Sequence, residues 1–569
     1  QANADKDFVL AAVAASNLGE LYLESGKLDT AKGFVDWALE QARSDHQFET
    51  EWRCHWYLAR IAQARGEEVA ADCEYAEASR IVDSYRARIL GAEAKRGFMT
   101  DKLDLYRSMV GRELDRGRPA RALEIAERAR AHSLVESLGW RYVAFADAES
   151  SGLYREFISL VGRESSARLR AKGQFLGLDR TATDHDDLRK RLTAVRDRIR
   201  ASGRSNPLLK LLVDGDAATA GEISRQLAPD TTLIEYFSLG DAIVAFVVEG
   251  GEVTAIRLDA SPDELRTLAR RFFASQASDD KLARQLYDLV VAPVAGRVTR
   301  KRVVIVPYGA LFRFPFEALR DENGYLIRRW TISYLPSASL VKFLRVGRAD
   351  VGGKRSARDL DLLALADPDT DYDGDGRSDK ARLDHAREEV AAFSTRFAKR
   401  TVLSGADARE SSLVSMSKGR DVIHLACHGE FYPARPWDST LFLAPSGTKG
   451  AEASEDGRLR AIEIYSLDLR GNRLVVLSGC ETARSQIAAS DDPVGIGAAF
   501  LHSGASALLA SLWKVEDKAT AELMKSFYEG WIDAGLDRVA ALRRAKLSLI
   551  DRGFAHPRQW SAFVFIGDR

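Results

Sequence analysis

Asp421-Val422-Ile423-His424-Leu425-Ala426-Cys427-His428-Gly429 and Leu474-Val475-Val476-Leu477-Ser478-Gly479-Cys480-Glu481-Thr482-Ala483 are two short apolar runs that end on small and reactive residues. Apolar runs of roughly four to eight residues bounded by turn residues read as fully buried strands. Further runs of this kind stand at 362–366, 440–443, 507–511 and 563–566, and helical periodicity fills 384–397, 494–502, 518–532 and 537–551. Strands alternating with helices predict a mostly parallel sheet covered by helices on both faces. On such sheets, ligands bind beyond the carboxyl ends of the strands. His428 and Cys480 both fall at such ends.

The same alternation begins upstream. Strands are expected at 232–237, 242–248, 302–306 and 331–335, with helices at 262–273 and 281–291. The first 150 residues differ. They read as all-helical, and they repeat: Leu18, Gly19, Gly26, Ala31, Val35 and Ala38 recur as Leu58, Ala59, Gly66, Ala71, Tyr75 and Ala78. A third copy keeps Gly117, Ala122, Ala126 and Ala129 but lacks the Leu-Gly pair. Small residues at these offsets let antiparallel helices approach closely, and stacked pairs bury a shared core. This stretch resembles tetratricopeptide repeats. The expected organisation is therefore repeats over 1–149, a charged helical connector over 150–229, a first α/β half over 230–350 and a second over 351–569. Within the connector, 186–204 reads as a solvated helix face or hairpin arm without chemistry.

Bulk properties narrow the function. Lys+Arg and Asp+Glu each total 83 in 569 residues, so the net charge of zero gives no reason to expect a nucleic-acid partner. No uncharged run reaches the roughly 18 residues of a membrane helix. Four cysteines, Cys54, Cys73, Cys427 and Cys480, are too few for a disulfide framework and lack zinc spacing. A reducing, cytoplasmic setting is the expectation. The chain begins at Gln1, not Met, which is expected of an excerpt or a processed form.

The two strand ends carry a specific chemistry. A free thiol is mostly protonated at neutral pH, and a nearby imidazole takes that proton and stabilises the thiolate. Cys480 is the candidate nucleophile and His428 the candidate base, expected within about 3–6 Å of each other. Backbone N–H groups of Gly429 and Cys480 are the candidate oxyanion donors. Glycine at 429 is expected to permit a turn and to leave room for a substrate backbone. Glu481 or a backbone carbonyl would orient the imidazole, and the sequence does not choose between them. Cys427 directly precedes His428, so it is expected on the opposite face, in the core. His424 is expected in the core too.

These motifs resemble the CHAT peptidases (caspase HetF associated with TPRs). The resemblance runs through Leu425 to Gly429, Ser478 to Ala483, Gly497 to Ala505, Ser511 to Asp517 and Gln559 to Asp568, and upstream through Val306 to Phe316 and Ile332 to Ser339. Repeats ahead of such a domain fit as well. The sequence departs from the pattern at Arg484 and in the segment Asp491 to Gly497. The resemblance implies a caspase- and separase-like fold, His428 as base, Cys480 as nucleophile and a regulated endopeptidase acting on a protein. It further implies a helical array that docks an activating protein, and a setting in bacterial defence or cell death, gasdermin-like pore formers being among the substrates. The rival expectation is a catalytically idle scaffold that only binds protein.

Two weaker sites remain. Asp369, Asp371, Asp373 and Asp375 follow the spacing of a calcium loop, with Asp379 in place of the usual terminal Glu, since position 12 is Lys380. The loop over 369–379 is a calcium candidate, and the dyad chemistry requires no cofactor. For a substrate pocket, Glu481, Trp513, Asp517 and Asp438 are candidates, together with Glu516. A buried acid would select basic residues, whereas Asp517 would otherwise cap a helix.

Overall fold

The computed structural model describes residues 2–86, 89, 97–130, 217–341, 356–372, 378–383, 385–445, 456–479, 486–487 and 493–567, with isolated helical residues between 156 and 198. The chain divides into two compact units, Gln1–Arg118 and Pro119–Arg569. Most of the expected connector, including most of 186–204, lies outside the described residues.

The first unit is helical: α1 (Ala2–Glu24), α2 (Leu28–Ser44), α3 (Phe48–Ala64), α4 (Glu68–Arg86) and α5 (Leu103–Asp115). The repeated small positions are its buried face. Ala31, Val35 and Ala38 of α2, and Ala71, Tyr75 and Ala78 of α4, are at most 3% exposed. The glycines that recur between helices, Gly26, Gly66 and Gly117, all take left-handed backbone, with φ of 75°, 74° and 69°. Gly19 serves a different purpose. A Cβ there would lie 2.4 Å from Val35 Cγ2. Val35 is fully buried and β-branched, so it cannot swing aside. Gly19→Ala would gain about 1 kcal/mol of helix propensity, against an overpacking cost of about 1–3 kcal/mol. We expect a net loss, read as a lower denaturation midpoint for the helical unit.

The second unit opens with α6 (Pro119–Ala129), the second helix of the third repeat copy. Its strands are β1 (Thr231–Ser238), β2 (Ile243–Glu249), β3 (Glu252–Leu258), β4 (Arg302–Val306), β5 (Thr331–Tyr334), β6 (Asp361–Pro368), β7 (Lys399–Gly405), β8 (Val422–Ala426), β9 (His428–Glu430), β10 (Thr440–Phe442), β11 (Arg458–Arg460), β12 (Leu474–Leu477), β13 (Ala507–Ser511) and β14 (Phe563–Gly567). Eleven of them form one sheet in the order β3-β2-β1-β4-β5-β14-β13-β12-β8-β6-β7. Pairings β1–β2, β2–β3 and β13–β14 are antiparallel, and the others in this sheet are parallel. The two expected α/β halves are thus halves of a single sheet. The C-terminal β14 joins them, pairing with β5 through Ile566↔Tyr334 and antiparallel with β13.

The remaining named strands, β9, β10 and β11, form a separate three-stranded sheet. The run at 440–443, expected among the parallel strands, belongs there. Two strands that no apolar run marks, β3 and β7, lie at the two edges of the large sheet. Their side chains are largely half-exposed or exposed, so neither presents the pattern of a buried strand.

Every residue of β8 and of β12 is buried, which requires cover on both faces. The helices that position the site are α7 (Ala386–Ser394), α8 (Glu410–Met416), α9 (Ile496–His502), α10 (Asp517–Tyr528) and α11 (Arg538–Asp551). Val390 and Phe393 of α7 share one apolar cluster with Leu523, Phe527 and Tyr528 of α10 and with Leu542 and Leu549 of α11. Val422 and Ala426 of β8, and Leu474 and Val476 of β12, belong to the same cluster. The alternate strand residues face the other side, where α9 packs on β13.

Candidate active site

β8 and β12 run parallel and adjacent, paired Val422↔Leu474 through Leu425↔Leu477. The backbone contact continues one step further, where Ser478 N donates to Leu425 O at 2.9 Å. Ser478 and Gly479 therefore leave the sheet beside the segment that carries His428. Both border one cleft with His428, and Leu383, Glu389, Cys427 and Ser511 also line it. Cys480 and Glu481 lie outside the described residues, as do Asp373 and Asp375.

His428 has an unambiguous hydrogen-bond partner. Its Nε2 is 2.6 Å from the carbonyl oxygen of Ala381. A carbonyl only accepts, so Nε2 carries the proton. In the neutral ring, the lone pair is then on Nδ1, and Nδ1 is the atom able to take a proton. A backbone carbonyl, one of the two orienting groups left open by the sequence, is present on His428; the other, Glu481, lies outside the described residues.

Gly429 sits in β9, paired with Leu441 of β10. Its φ is not among the positive values, so turn-forming freedom does not explain glycine at this position. Cys427 is buried, as expected for core, yet it lines the same cleft as His428 because the chain leaves the sheet between β8 and β9.

His424 is fully buried within a relay of polar groups. Its Nδ1 is 3.0 Å from the Tyr528 hydroxyl, and its Nε2 is 2.8 Å from Glu389 Oε1. Glu389 Oε2 accepts the Ser478 hydroxyl at 3.0 Å. Burial, and then the charge of Glu389, push the Tyr528 hydroxyl well above the usual tyrosine range, so it remains a donor. Ser511 Oγ donates to Gly479 O. Two side chains thus hold the two residues that precede Cys480. Glu389 is a site residue that motif spacing does not pick out, although its sequence context carries a signal. It stands among Ala386, Val390 and Phe393 on the buried face of α7, where a carboxylate needs a partner.

The pocket candidates separate. Trp513 is 3% exposed and donates from Nε1 to Arg558 O at 2.9 Å, with its ring edge-on to Phe273. It packs in the core and does not border the cleft. Asp438 lies in a turn over Pro436–Asp438, with its side chain 44% exposed and 3.3 Å from Arg435, so it is not a buried acid. Glu516, rather than Asp517, takes the helix-cap position, and Asp517 is the first residue of α10.

In the calcium candidate, Asp379 Oδ2 accepts from Tyr372 N at 2.8 Å, and Asp369 lies 3.8 Å from Arg382. Among the described residues, no group of three or more His, Cys, Asp or Glu side chains is arranged to hold a metal. No helix among the described residues is long and apolar enough to cross a membrane.

Glu410, at the start of α8, titrates abnormally. It is 2% exposed and accepts from Gly457 N at 3.1 Å. Burial first, then the charges of Glu463 and Asp456, push its carboxyl up to about 8, against the opposing pull of the Gly457 N–H and Arg460. A carboxyl raised on folding stabilises fully below its unfolded pKa, and that contribution is lost as pH rises towards the folded value. Stability should therefore fall between about pH 4.5 and pH 8, by up to about 1.4 kcal/mol per unit. Glu410→Gln is expected to raise the melting temperature at pH 8 and leave it nearly unchanged at pH 4.5, which thermal denaturation across that range would check.

His428 and the tethered pair Ser478-Gly479, at neighbouring carboxyl ends of a mostly parallel sheet in a chain whose first unit is helical repeats, define a repeat-bearing α/β protein with a candidate site at those strand ends. The CHAT domain matches residues 280–568, half of the chain, and the chain belongs to that family. Among curated proteins, tetratricopeptide repeat protein 28 of Homo sapiens is 23% identical over 329 residues, and that of Mus musculus is 25% identical over 328. Each alignment covers 50% of this chain, and the chain spans only 13% of the length of these relatives. Among solved structures, the Saccharomyces cerevisiae separase–securin complex aligns over 99% of this chain and 53% of its own, at 11% identity and TM-score 0.42. The Arg-specific cysteine proteinase gingipain R aligns over 54% of this chain and 74% of its own, at 9% identity and TM-score 0.33.

Proposed function

We propose that this chain is a cysteine endopeptidase in which His428 activates Cys480. The observation that carries the reading is the parallel register Leu425↔Leu477, since His428 and Cys480 each follow the last paired couple by three residues. The Nε2–H bond to Ala381 leaves Nδ1 as the base. The thiol proton passes to Nδ1 as sulfur attacks the peptide carbon. N–H groups of Gly429 and Cys480 are assigned to the oxyanion. The imidazolium then returns its proton to the leaving amine, and water hydrolyses the thioester by the reverse transfers.

In this reading the substrate is a protein, gasdermin-like pore formers being one candidate class, and the repeats dock an activating protein. Asp517 stays as a candidate for selecting a basic side chain, whereas Glu516 is exposed and is not a buried acid; the loop over 369–379 stays a calcium candidate. The test is to incubate purified protein, and its Cys480→Ala variant, with candidate protein substrates and to sequence any new N-termini. New termini made by wild type and not by the variant are the expected result, and identical behaviour of the two defeats the proposal.

A further inference from the structure

The carbonyl that fixes the His428 tautomer is held in place by a residue the chemistry above does not use. Ala381 belongs to no helix or strand, so its carbonyl direction depends on what pins the flanking chain. Downstream, that pin is Asp367. Its Oδ1 accepts Leu383 N at 3.1 Å, and its Oδ2 accepts Arg382 Nη2 and Arg387 Nε, each at 2.9 Å. Asp367 is itself only 5% exposed.

Two further observations set Asp367 apart. It occupies a bulge in β6, where the register against β7 shifts between Ala366 and Pro368. It also has a φ of 46°, in the left-handed region that L residues adopt at a cost. Bulges beside active sites re-aim side chains, and backbone strain persists where the surrounding structure demands it. The neighbouring strand places this bulge beside the site, because Ala366 of β6 pairs with Ala426 of β8, two residues before His428. Upstream of Ala381 there is a second pin: Lys380 N donates to Thr370 Oγ1 at 3.1 Å, and Lys380 Nζ pairs with Glu430.

We infer that Asp367 is a positioning residue for His428: its carboxylate, aimed by the bulge, fixes the Ala381 carbonyl that holds the imidazole with its proton on Nε2. This rests on the proposed role of His428 as base, but the tautomer is measurable without any substrate. The imidazole nitrogens of 15N-histidine-labelled protein report which one is protonated, and His428→Gln assigns the signal. Wild type is expected to show the Nε2–H form. Asp367→Gly, which accepts the left-handed backbone and removes the carboxylate, is expected to show a mixture of tautomers. Asp367→Asn, which keeps one acceptor for Leu383 N, should fall between the two and serves where the glycine variant does not fold.

With a cleaved substrate, kcat should fall about 10–100-fold in Asp367→Gly while KM stays within about twofold, as misplacement of a base predicts. Retention of a pure Nε2–H tautomer in a folded Asp367 variant overturns the inference, and would assign the Ala381 pin to Lys380 alone. A tautomer change in a protein whose wild type cleaves nothing upholds the positioning role while defeating the peptidase reading.

Discussion

Cys480→Ala is expected to abolish cleavage, and His428→Ala to lower its rate by about 10²–10⁴-fold, the usual worth of a positioned general base. An unassisted thiol with a pKa near 8.5 is only a few per cent thiolate at neutral pH. A neutral imidazole with its lone pair on Nδ1 changes that by accepting the thiol proton. Alkylation by iodoacetamide, followed residue by residue with mass spectrometry, measures the effect directly. Cys73 is exposed and serves as internal reference, while Cys54 and Cys427 are buried. At pH 6, Cys480 should alkylate well ahead of Cys73 in wild type and fall to the rate of Cys73 in His428→Ala. Equal rates in wild type would mean that no thiolate is being made.

Arg130→Met is expected to destabilise the second unit by about 3–5 kcal/mol, as removal of one partner from a buried ion pair does. Just beyond α6, the Arg130 guanidinium is 3% exposed. Its Nε lies 3.1 Å from Glu235 Oε1 and 3.5 Å from Glu127 Oε1, and its Nη2 donates to Tyr236 O at 2.8 Å. Both carboxylates are fully buried. Glu127 accepts from Ser337 Oγ at 2.7 Å and from Ser339 N at 2.6 Å, which suits an ionised group. Burial, and then the charge of Glu127, hold the Glu235 carboxyl well above the usual range, so Glu235 keeps its proton and Arg130 balances Glu127. Without the guanidinium, a buried carboxylate has lost its cation. Equilibrium denaturation should show the loss, and adding Glu127→Gln to Arg130→Met should recover part of it. A loss below about 1 kcal/mol would show that the cluster relaxes or hydrates, contrary to this account.

The strand ends of the site were legible because buried parallel strands are written as uninterrupted apolar runs. The expected strands at 422–426, 474–477 and 507–511 coincide with β8, β12 and β13. The repeat period was legible for a similar reason: glycine and alanine at fixed offsets are the residues that left-handed turns and close helix packing require. The edge strands β3 and β7 were not legible, because a strand buried on few positions carries little apolar signal. Trp513 shows the converse failure, since a tryptophan near a motif reads equally as a pocket wall or as core, and only its bond to Arg558 O decides.

From sequence alone come the repeated helices and the alternating strands and helices, because periodicity and residue chemistry are local properties of the chain; the pairing of His428 with Cys480 is likewise a proposal made from the sequence, and Cys480 lies outside the described residues. Only the tertiary structure decided that the two α/β halves share one sheet through β14, that the imidazole proton sits on Nε2 facing Ala381, and that Glu389 ties His424 to Ser478. Those features depend on which distant backbone and carboxylate groups meet when the chain closes, and residues 47 positions apart, such as Ala381 and His428, carry no mark in sequence of their partnership.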